Sequence, residues 1–186
     1  MKWLGLCGKA GAGKDWLCTQ LTRGEYGLRV HRVSIAATIK EMLLTLNPRI
    51  EGHKRLQDIA HEEGGIEVAK WTYPEIRRLM QVLGTQCGRE LLGPHVWISA
   101  AMARGRDDAL NVVTDVRFPN EVDAIRAAGG LLVLVERPDS PSQLSGPAAE
   151  HVSERTGRLE VDHVFTNSPG IAEQELDKLL LTLRLL

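Results

Sequence analysis

Eight residues near the amino terminus, GKAGAGKD from Gly8 to Asp15, restrict the fold more than any other feature of the chain. They leave an apolar run of strand length, Trp3 to Cys7, and enter a segment with helical spacing, Lys14 to Glu25. Gly8, Gly13 and Lys14 satisfy GxxxxGK, a pattern with a physical mechanism when it joins a strand to a helix. Glycines let the backbone turn with its N–H groups inward, the helix N-terminus adds positive potential, and the lysine reaches outer phosphates. Gly11 adds freedom inside the loop. A phosphate-binding turn at the end of a first strand therefore predicts an α/β chain.

The rest of the sequence alternates accordingly. Further strand-length apolar runs lie at Val30 to Ile35, Leu110 to Thr114, Leu131 to Val135 and Val161 to Thr166. Helical spacing marks Thr38 to Leu46, Pro74 to Leu91, His95 to Arg104, Pro119 to Ala128 and Ile171 to Leu185. This order predicts a five-stranded parallel sheet with helices on both faces. Pro74 and Pro119 suit first-turn positions, Glu121 and Asp123 favour a helix N-terminus, and Gly129 with Gly130 suits a C-cap.

At 186 residues the chain is expected to form a single domain with one centre, since domains run to about 100–200 residues. Its 23 Lys and Arg against 24 Asp and Glu leave a formal charge of −1, with no global field for a nucleic-acid polymer or an acidic membrane. Any bound phosphate must then be held locally. Cys7, Cys18 and Cys87 match neither a disulfide framework nor a zinc pair and read as reduced residues of a cytoplasmic protein. The run in MKWLGLC is too short for a signal core or a membrane span.

Two stretches break the alternation. Residues 47–72 turn polar around Gly64 and Gly65, although Leu56, Ile59 and Ala60 can support a short helix. Residues 138–149 read PDSPSQLSGPAA, the composition of a mobile loop. Both are candidates for lids; the first can equally be read as a surface loop with no role, the second less readily.

Individual side chains sharpen the phosphate reading. Asp15 stands where Ser or Thr would place a hydroxyl on magnesium, and a carboxylate beside a triphosphate implies an intervening divalent cation, held directly or through water. Its alternative role is to cap the following helix. Asp115 ends a strand at the edge where ligands of open α/β sheets bind, and can orient magnesium water or accept a substrate hydrogen bond. Arg117 has the planar fork suited to phosphate; its alternative is an ion pair with Glu121. On the helix from Pro74, the residues Ile76, Leu79, Met80 and Leu83 mark the core face, while Arg78, Gln81, Thr85 and Arg89 recur on another. Gly84 and Gly88 within that helix predict a break or a close ligand approach.

Taken in order, these segments resemble the phage-type deoxynucleoside monophosphate kinases of the P-loop kinase group. The resemblance runs through GKAGAGKD, IAATIKEML at 35–43, IRRLMQVLGTQCGRE at 76–90, HVWI at 95–98, VVTDVRFPNEVDAIRAAGG at 112–130, VERP at 135–138 and HVSE at 151–154. A strand with Asn167 before the last helix completes it. It implies a three-layer P-loop kinase fold and transfer of the ATP γ-phosphoryl group to a deoxynucleoside 5′-monophosphate. Asp after the loop lysine is usual in that family. Carried over, Gly8, Gly11, Ala12, Gly13, Lys14, Asp15 and Trp16 would hold ATP and Mg2+. Lys40, Arg78, Gly84, Thr85, Trp97, Asp115, Arg117 and Glu121 would surround the acceptor. Lys14, Arg117 and Arg137 would act on the transferring group, with Arg137 and Arg155 flanking a lid over residues 138–150. His151 and Glu154 match the pattern without an assigned role, and residues 47–72 form a variable acceptor-side insertion.

The chain departs from that pattern at Trp16, where relatives usually have Thr, so a hydroxyl is lost while the backbone N–H remains. Ala10 occupies a position where relatives can carry a basic residue. Small-molecule nucleotides are the implied partners, a homodimer is compatible with the sequence, and the location would be host cytoplasm if the protein is phage-encoded. A kinase for another small acceptor, such as a coenzyme precursor, and a nucleotide-binding regulator without transfer activity remain as alternatives. No NKxD guanine-reading motif, HExxH or GxSxG is present.

Overall fold

A computed structural model describes residues 2–23, 27–52, 54–138 and 159–184. The chain divides into two compact units, one formed by Met1–Ser34 with Arg104–Leu186 and the other by Ile35–Ala103.

The first unit is built on strands β1 (Lys2–Cys7), β2 (Val30–Val33), β5 (Leu110–Val113), β6 (Leu131–Glu136) and β7 (His163–Thr166). They pair in the order β2-β5-β1-β6-β7, and every pairing is parallel. The expected five-stranded sheet is thus present, with β1 at its centre. Helices α1 (Lys14–Thr22), α7 (Pro119–Ala127) and α8 (Ala172–Arg184) cover it. Alternation along β1 separates two faces. Leu4 and Leu6 join Leu17 and Leu21 of α1 and Leu179 and Leu183 of α8 in one core cluster, together with Val133, Val135 and Phe165. Gly5 looks the other way, where a Cβ would touch Ile125 of α7 at 2.8 Å and Leu132 at 2.9 Å. Helices therefore lie on both sides of this sheet, a three-layer arrangement. Each fully buried leucine contributes roughly 1.5–3 kcal/mol through burial.

The second unit is mainly helical. It holds α2 (Ala36–Leu46), a short antiparallel pair β3 (Arg49–Ile50) and β4 (Lys54–Arg55), α3 (Leu56–Glu62), α4 (Ile66–Thr72), α5 (Pro74–Val82) and α6 (Val96–Met102). Its core gathers Leu43, Ile50, Leu56, Ile59, Ile66, Ala69 and Ile76. Residues 47–72, which look polar in sequence, thus contribute most of a core. Asn47 makes the turn: in the left-handed conformation it ends α2, and its Oδ1 accepts the Gln57 N–H at 2.9 Å. The short helix expected around Leu56 is α3; α4 is an addition.

Helix α5 continues into a π-helix over Leu83–Glu90. The expected helix over residues 74–91 is therefore one segment with two windings. From Leu83 onward the wider turn interrupts the three-and-four spacing that aligned Arg78, Gln81, Thr85 and Arg89. Strand β2 also ends at Val33 rather than Ile35, and α2 begins at Ala36.

Candidate active site

The loop after β1 has the backbone that its glycines allow. Gly8, Gly11 and Gly13 take φ values of 134°, 83° and 98°, where a Cβ is strongly disfavoured. Space is equally demanding: a Cβ at Gly8 would lie 2.2 Å from the Val135 carbonyl oxygen, and one at Gly13 would lie 2.0 Å from Asn167 Nδ2. Gly13 caps α1, and its carbonyl accepts the Leu17 N–H at 2.9 Å. Lys14 Nζ donates to the carbonyl oxygens of Gly8 and Lys9, each at 2.8 Å, so the ammonium lies across the loop. Ala12 is buried, and its carbonyl accepts from Asn167 Nδ2 at 2.9 Å.

Asp15 follows on α1 with an exposed side chain and is ion-paired to Arg32 of β2. Neither the pairing nor Arg32 is apparent from the motif, because β2 becomes a neighbour of α1 only on folding. Gly13 rather than Asp15 occupies the N-cap of α1, and Asp15 lies in its first turn, where a negative charge favours the helix N-terminus. Trp16 sits with its ring centroid 6.3 Å from that of Phe165. Burial pushes the Cys7 thiol, at the end of β1, up to about 11, and the charge of Lys14 only partly offsets this.

The carboxyl edge of the sheet also carries Asp115, half-buried two residues beyond β5. Ser34, just past β2, donates its hydroxyl to Asp115 Oδ2 at 2.8 Å. Arg117 lies two residues further on and is half-buried. Its backbone N–H, and that of Phe118, donate to Glu121 Oε2 at 2.7 and 3.1 Å. Glu121 is 1% exposed. Its carboxylate therefore serves the backbone at the start of α7, half of a capping box, with Pro119 completing the first turn. Arg137 is exposed immediately after β6. Residues 139–158, with most of the expected lid, His151, Glu154 and Arg155, lie outside the described residues.

The remaining expected residues lie in the second unit. Lys40 of α2 is half-buried and ion-paired to Glu67 of α4, which also pairs with Lys70. Burial pushes the Glu67 carboxyl up, but the hydrogen bonds and charges of the two lysines outweigh it and bring it to about 2. Sequence reasoning missed Glu67; the Ile66 and Ala69 spacing that defines α4 was the available signal. Arg78 of α5 is exposed and only loosely paired with Glu75, at 3.8 Å.

Gly84, Thr85 and Trp97 meet at the π-helix. Trp97 of α6 is 3% exposed, and its Nε1–H donates to the Gly84 carbonyl at 2.7 Å. Arg89 Nη1 donates to the same oxygen at 2.9 Å. A Cβ at Gly88 would lie 2.2–2.4 Å from three atoms of the Trp97 indole. Both glycines predicted to break the helix or admit a ligand lie where the α-helix gives way to π winding, and Gly88 is the one packed against a tryptophan. Thr85, between them, is half-buried. Irregular helical turns of this kind are frequent at functional sites.

Residues 49–176, more than half of the chain, match the family model for deoxynucleotide monophosphate kinase. The chain belongs to the deoxynucleotide monophosphate kinase family. That match begins beyond the phosphate loop, which stands on its own geometry. The deoxynucleoside-5′-monophosphate kinase of Escherichia phage T5 is 39% identical over 57 residues, 30% of this chain and 23% of the phage enzyme. The chain thus spans about a quarter of that relative's length. A protein of Acanthamoeba polyphaga mimivirus, provisionally named a deoxynucleotide monophosphate kinase, is 26% identical over 160 residues, 78% of this chain and 79% of its own. Among solved structures, dephospho-CoA kinase from Campylobacter jejuni covers 97% of both chains at 15% identity with a TM-score of 0.42, too low to support an argument. The activity expected from the sequence is the one for which the family is named.

Among the described residues, no group of three or more His, Cys, Asp or Glu is arranged to hold a metal ion by itself, and no helix is long and apolar enough to cross a membrane.

Proposed function

We propose that the chain transfers the γ-phosphoryl group of ATP to a deoxynucleoside 5′-monophosphate, giving the diphosphate and ADP. The observation that carries this reading is the phosphate loop at the end of the central strand, in a chain of the deoxynucleotide monophosphate kinase family. The loop N–H groups from Gly8 to Asp15 would cradle the phosphates, and Lys14 would exchange its carbonyl partners for phosphate oxygens, which bind an ammonium more strongly.

The donor set fits magnesium. Mg2+ usually takes one or two carboxylates, several waters and substrate phosphates rather than an all-protein cage. Exposed Asp15 and the Asp115–Ser34 pair are hard oxygen ligands of that kind, acting directly or through water. When bound, the ion supplies positive charge against the phosphate oxygens. The protein's part is positioning and electrostatics, because phosphoryl transfer asks little covalent chemistry of the enzyme. Arg117 and Arg137 would neutralise charge on the migrating group.

Lys40, Arg78, Gly84, Thr85, Trp97, Asp115, Arg117 and Glu121 would form the acceptor set. Two of these would act indirectly. Trp97 shapes the turn that carries Thr85, and Glu121 holds the backbone that carries Arg117. Lys40 would give up part of its pairing with Glu67 to an acceptor phosphate. In this reading residues 1–186 work as one kinase domain on small-molecule nucleotides in the cytoplasm.

A coupled ADP-release assay with ATP, Mg2+ and a panel of deoxynucleoside and nucleoside monophosphates tests the proposal. Turnover with at least one deoxynucleotide, lost on chelating the metal and lowered about a hundredfold or more in Lys14→Ala, is expected. A folded Lys14→Ala chain with undiminished turnover overturns the assignment. Turnover restricted to a non-nucleotide acceptor overturns the substrate class.

A further inference from the structure

The phosphate loop has a support that its motif does not contain. Asn167 follows β7, the edge strand of the sheet, and is separated from the loop by about 150 positions in the chain. Its backbone N–H donates to the Glu136 carbonyl at 2.7 Å, extending the β6–β7 register of Glu136 opposite Thr166 by one residue. The sheet therefore fixes where the Asn167 side chain starts. From there Nδ2 donates to the Ala12 carbonyl at 2.9 Å and packs so closely on Gly13 that no Cβ could be added there.

We infer that Asn167 is a positioning residue for nucleotide binding, which fixes the Ala12–Gly13 peptide and thereby the direction of the Gly13 N–H. This rests on the nucleotide-kinase reading of the loop. A trans peptide is planar, and its C=O and N–H point in opposite directions. Holding the Ala12 oxygen toward Asn167 turns the Gly13 N–H away from Asn167. That peptide joins Ala12 to Gly13, whose lack of a Cβ leaves rotation about its φ, here 98°, weakly restrained by the chain itself. The amide of Asn167 supplies the missing restraint before nucleotide arrives, and pre-ordering of this kind raises affinity by removing an ordering cost from binding. Lys14 holds the loop at Gly8 and Lys9, and Asn167 holds it at Ala12, so its first and last peptides are restrained by different groups.

The test uses the full chain and two variants. Asn167→Asp keeps the shape but replaces the donor with an acceptor facing the Ala12 oxygen; Asn167→Ser keeps a polar side chain too short to reach it. Titration calorimetry with MgADP and MgATP reads donor affinity, and steady-state kinetics read the two KM values. Loss of one neutral hydrogen bond predicts a donor dissociation constant raised about three- to tenfold in Asn167→Ser, and more in Asn167→Asp. The acceptor KM and the thermal midpoint should stay near those of the wild type. Wild-type donor affinity in folded Asn167→Asp overturns the inference. So does equal weakening of donor and acceptor with a lowered midpoint in both variants, the signature of a purely structural residue. A wild-type chain that binds MgATP but transfers nothing refutes the kinase reading while calorimetry still decides the role of Asn167; one that binds neither nucleotide overturns both.

Discussion

Two buried glycines in one π-helical segment should respond to the same substitution in opposite ways. At Gly88 an added methyl would sit 2.2–2.4 Å from Cζ2, Cε2 and Nε1 of Trp97, well inside any tolerable contact. The indole cannot yield easily, because it is 3% exposed and held by its hydrogen bond to Gly84. Overpacking of this sort costs about 1–3 kcal/mol, and a displaced indole N–H left without its acceptor costs about 1–3 kcal/mol more. Greater helix propensity of Ala returns up to about 1 kcal/mol, so Gly88→Ala should destabilise by about 3 kcal/mol, the centre of a range of about 1–5 kcal/mol. At Gly84 the same methyl meets only Ile39 Cδ1 at 3.2 Å and Arg89 Nη1 at 3.7 Å, both ends of flexible side chains. Gly84→Ala should therefore stay within about 1 kcal/mol of wild type. Thermal unfolding followed by circular dichroism distinguishes them, since about 3 kcal/mol corresponds to a midpoint lowered by roughly 6–12 °C in a chain of this size. Trp97→Phe removes the clashing atoms, so Gly88→Ala should cost less in that background, a positive coupling in a double-mutant cycle. Equal stability of Gly88→Ala and wild type, or no coupling to Trp97, would refute the packing account of the π-helix.

Two further outcomes follow from buried groups. Glu121→Ala leaves the N–H groups of Arg117 and Phe118 without their acceptor and should destabilise by about 2–4 kcal/mol, whereas Glu121→Gln, which keeps an acceptor oxygen, should cost about half as much; urea unfolding that shows no loss in Glu121→Ala contradicts the capping role. Cys87 is exposed while burial raises the pKa of both Cys7 and Cys18, so a thiol-disulfide reagent at pH 8 should modify one thiol rapidly in the folded chain and three in denaturant; a second fast thiol would contradict the burial of β1 and α1.

What could be read in advance was what local sequence controls. Continuous apolar runs placed all five strands of the parallel sheet, because helices cover both its faces, and hydrophobic periodicity placed most helices, because burial of one face imposes a period. The stretch from Asn47 to Thr72 was the exception. Its core residues, Ile50, Leu56, Ile59, Ile66 and Ala69, are spread over three short elements, each too brief to show a period, and only their convergence on Leu43 and Ile76 makes a core. The site divides along the same line. GKAGAGKD announces its loop because the glycine and lysine requirements are local.

Its supports are not local. Asn167 at Ala12, Arg32 at Asp15 and Ser34 at Asp115 come from in or just past other strands, between 17 and 155 positions away, and folding alone makes them neighbours. Gly88 likewise reads as a weak point until Trp97 is seen against it. The sequence by itself determined that a phosphate loop leads a parallel α/β sheet, through backbone freedom and hydrophobic period. Tertiary structure alone decided which side chains restrain that loop and which glycine makes room for an indole, because contacts between distant segments depend on strand order and packing volume rather than on any pattern within a segment.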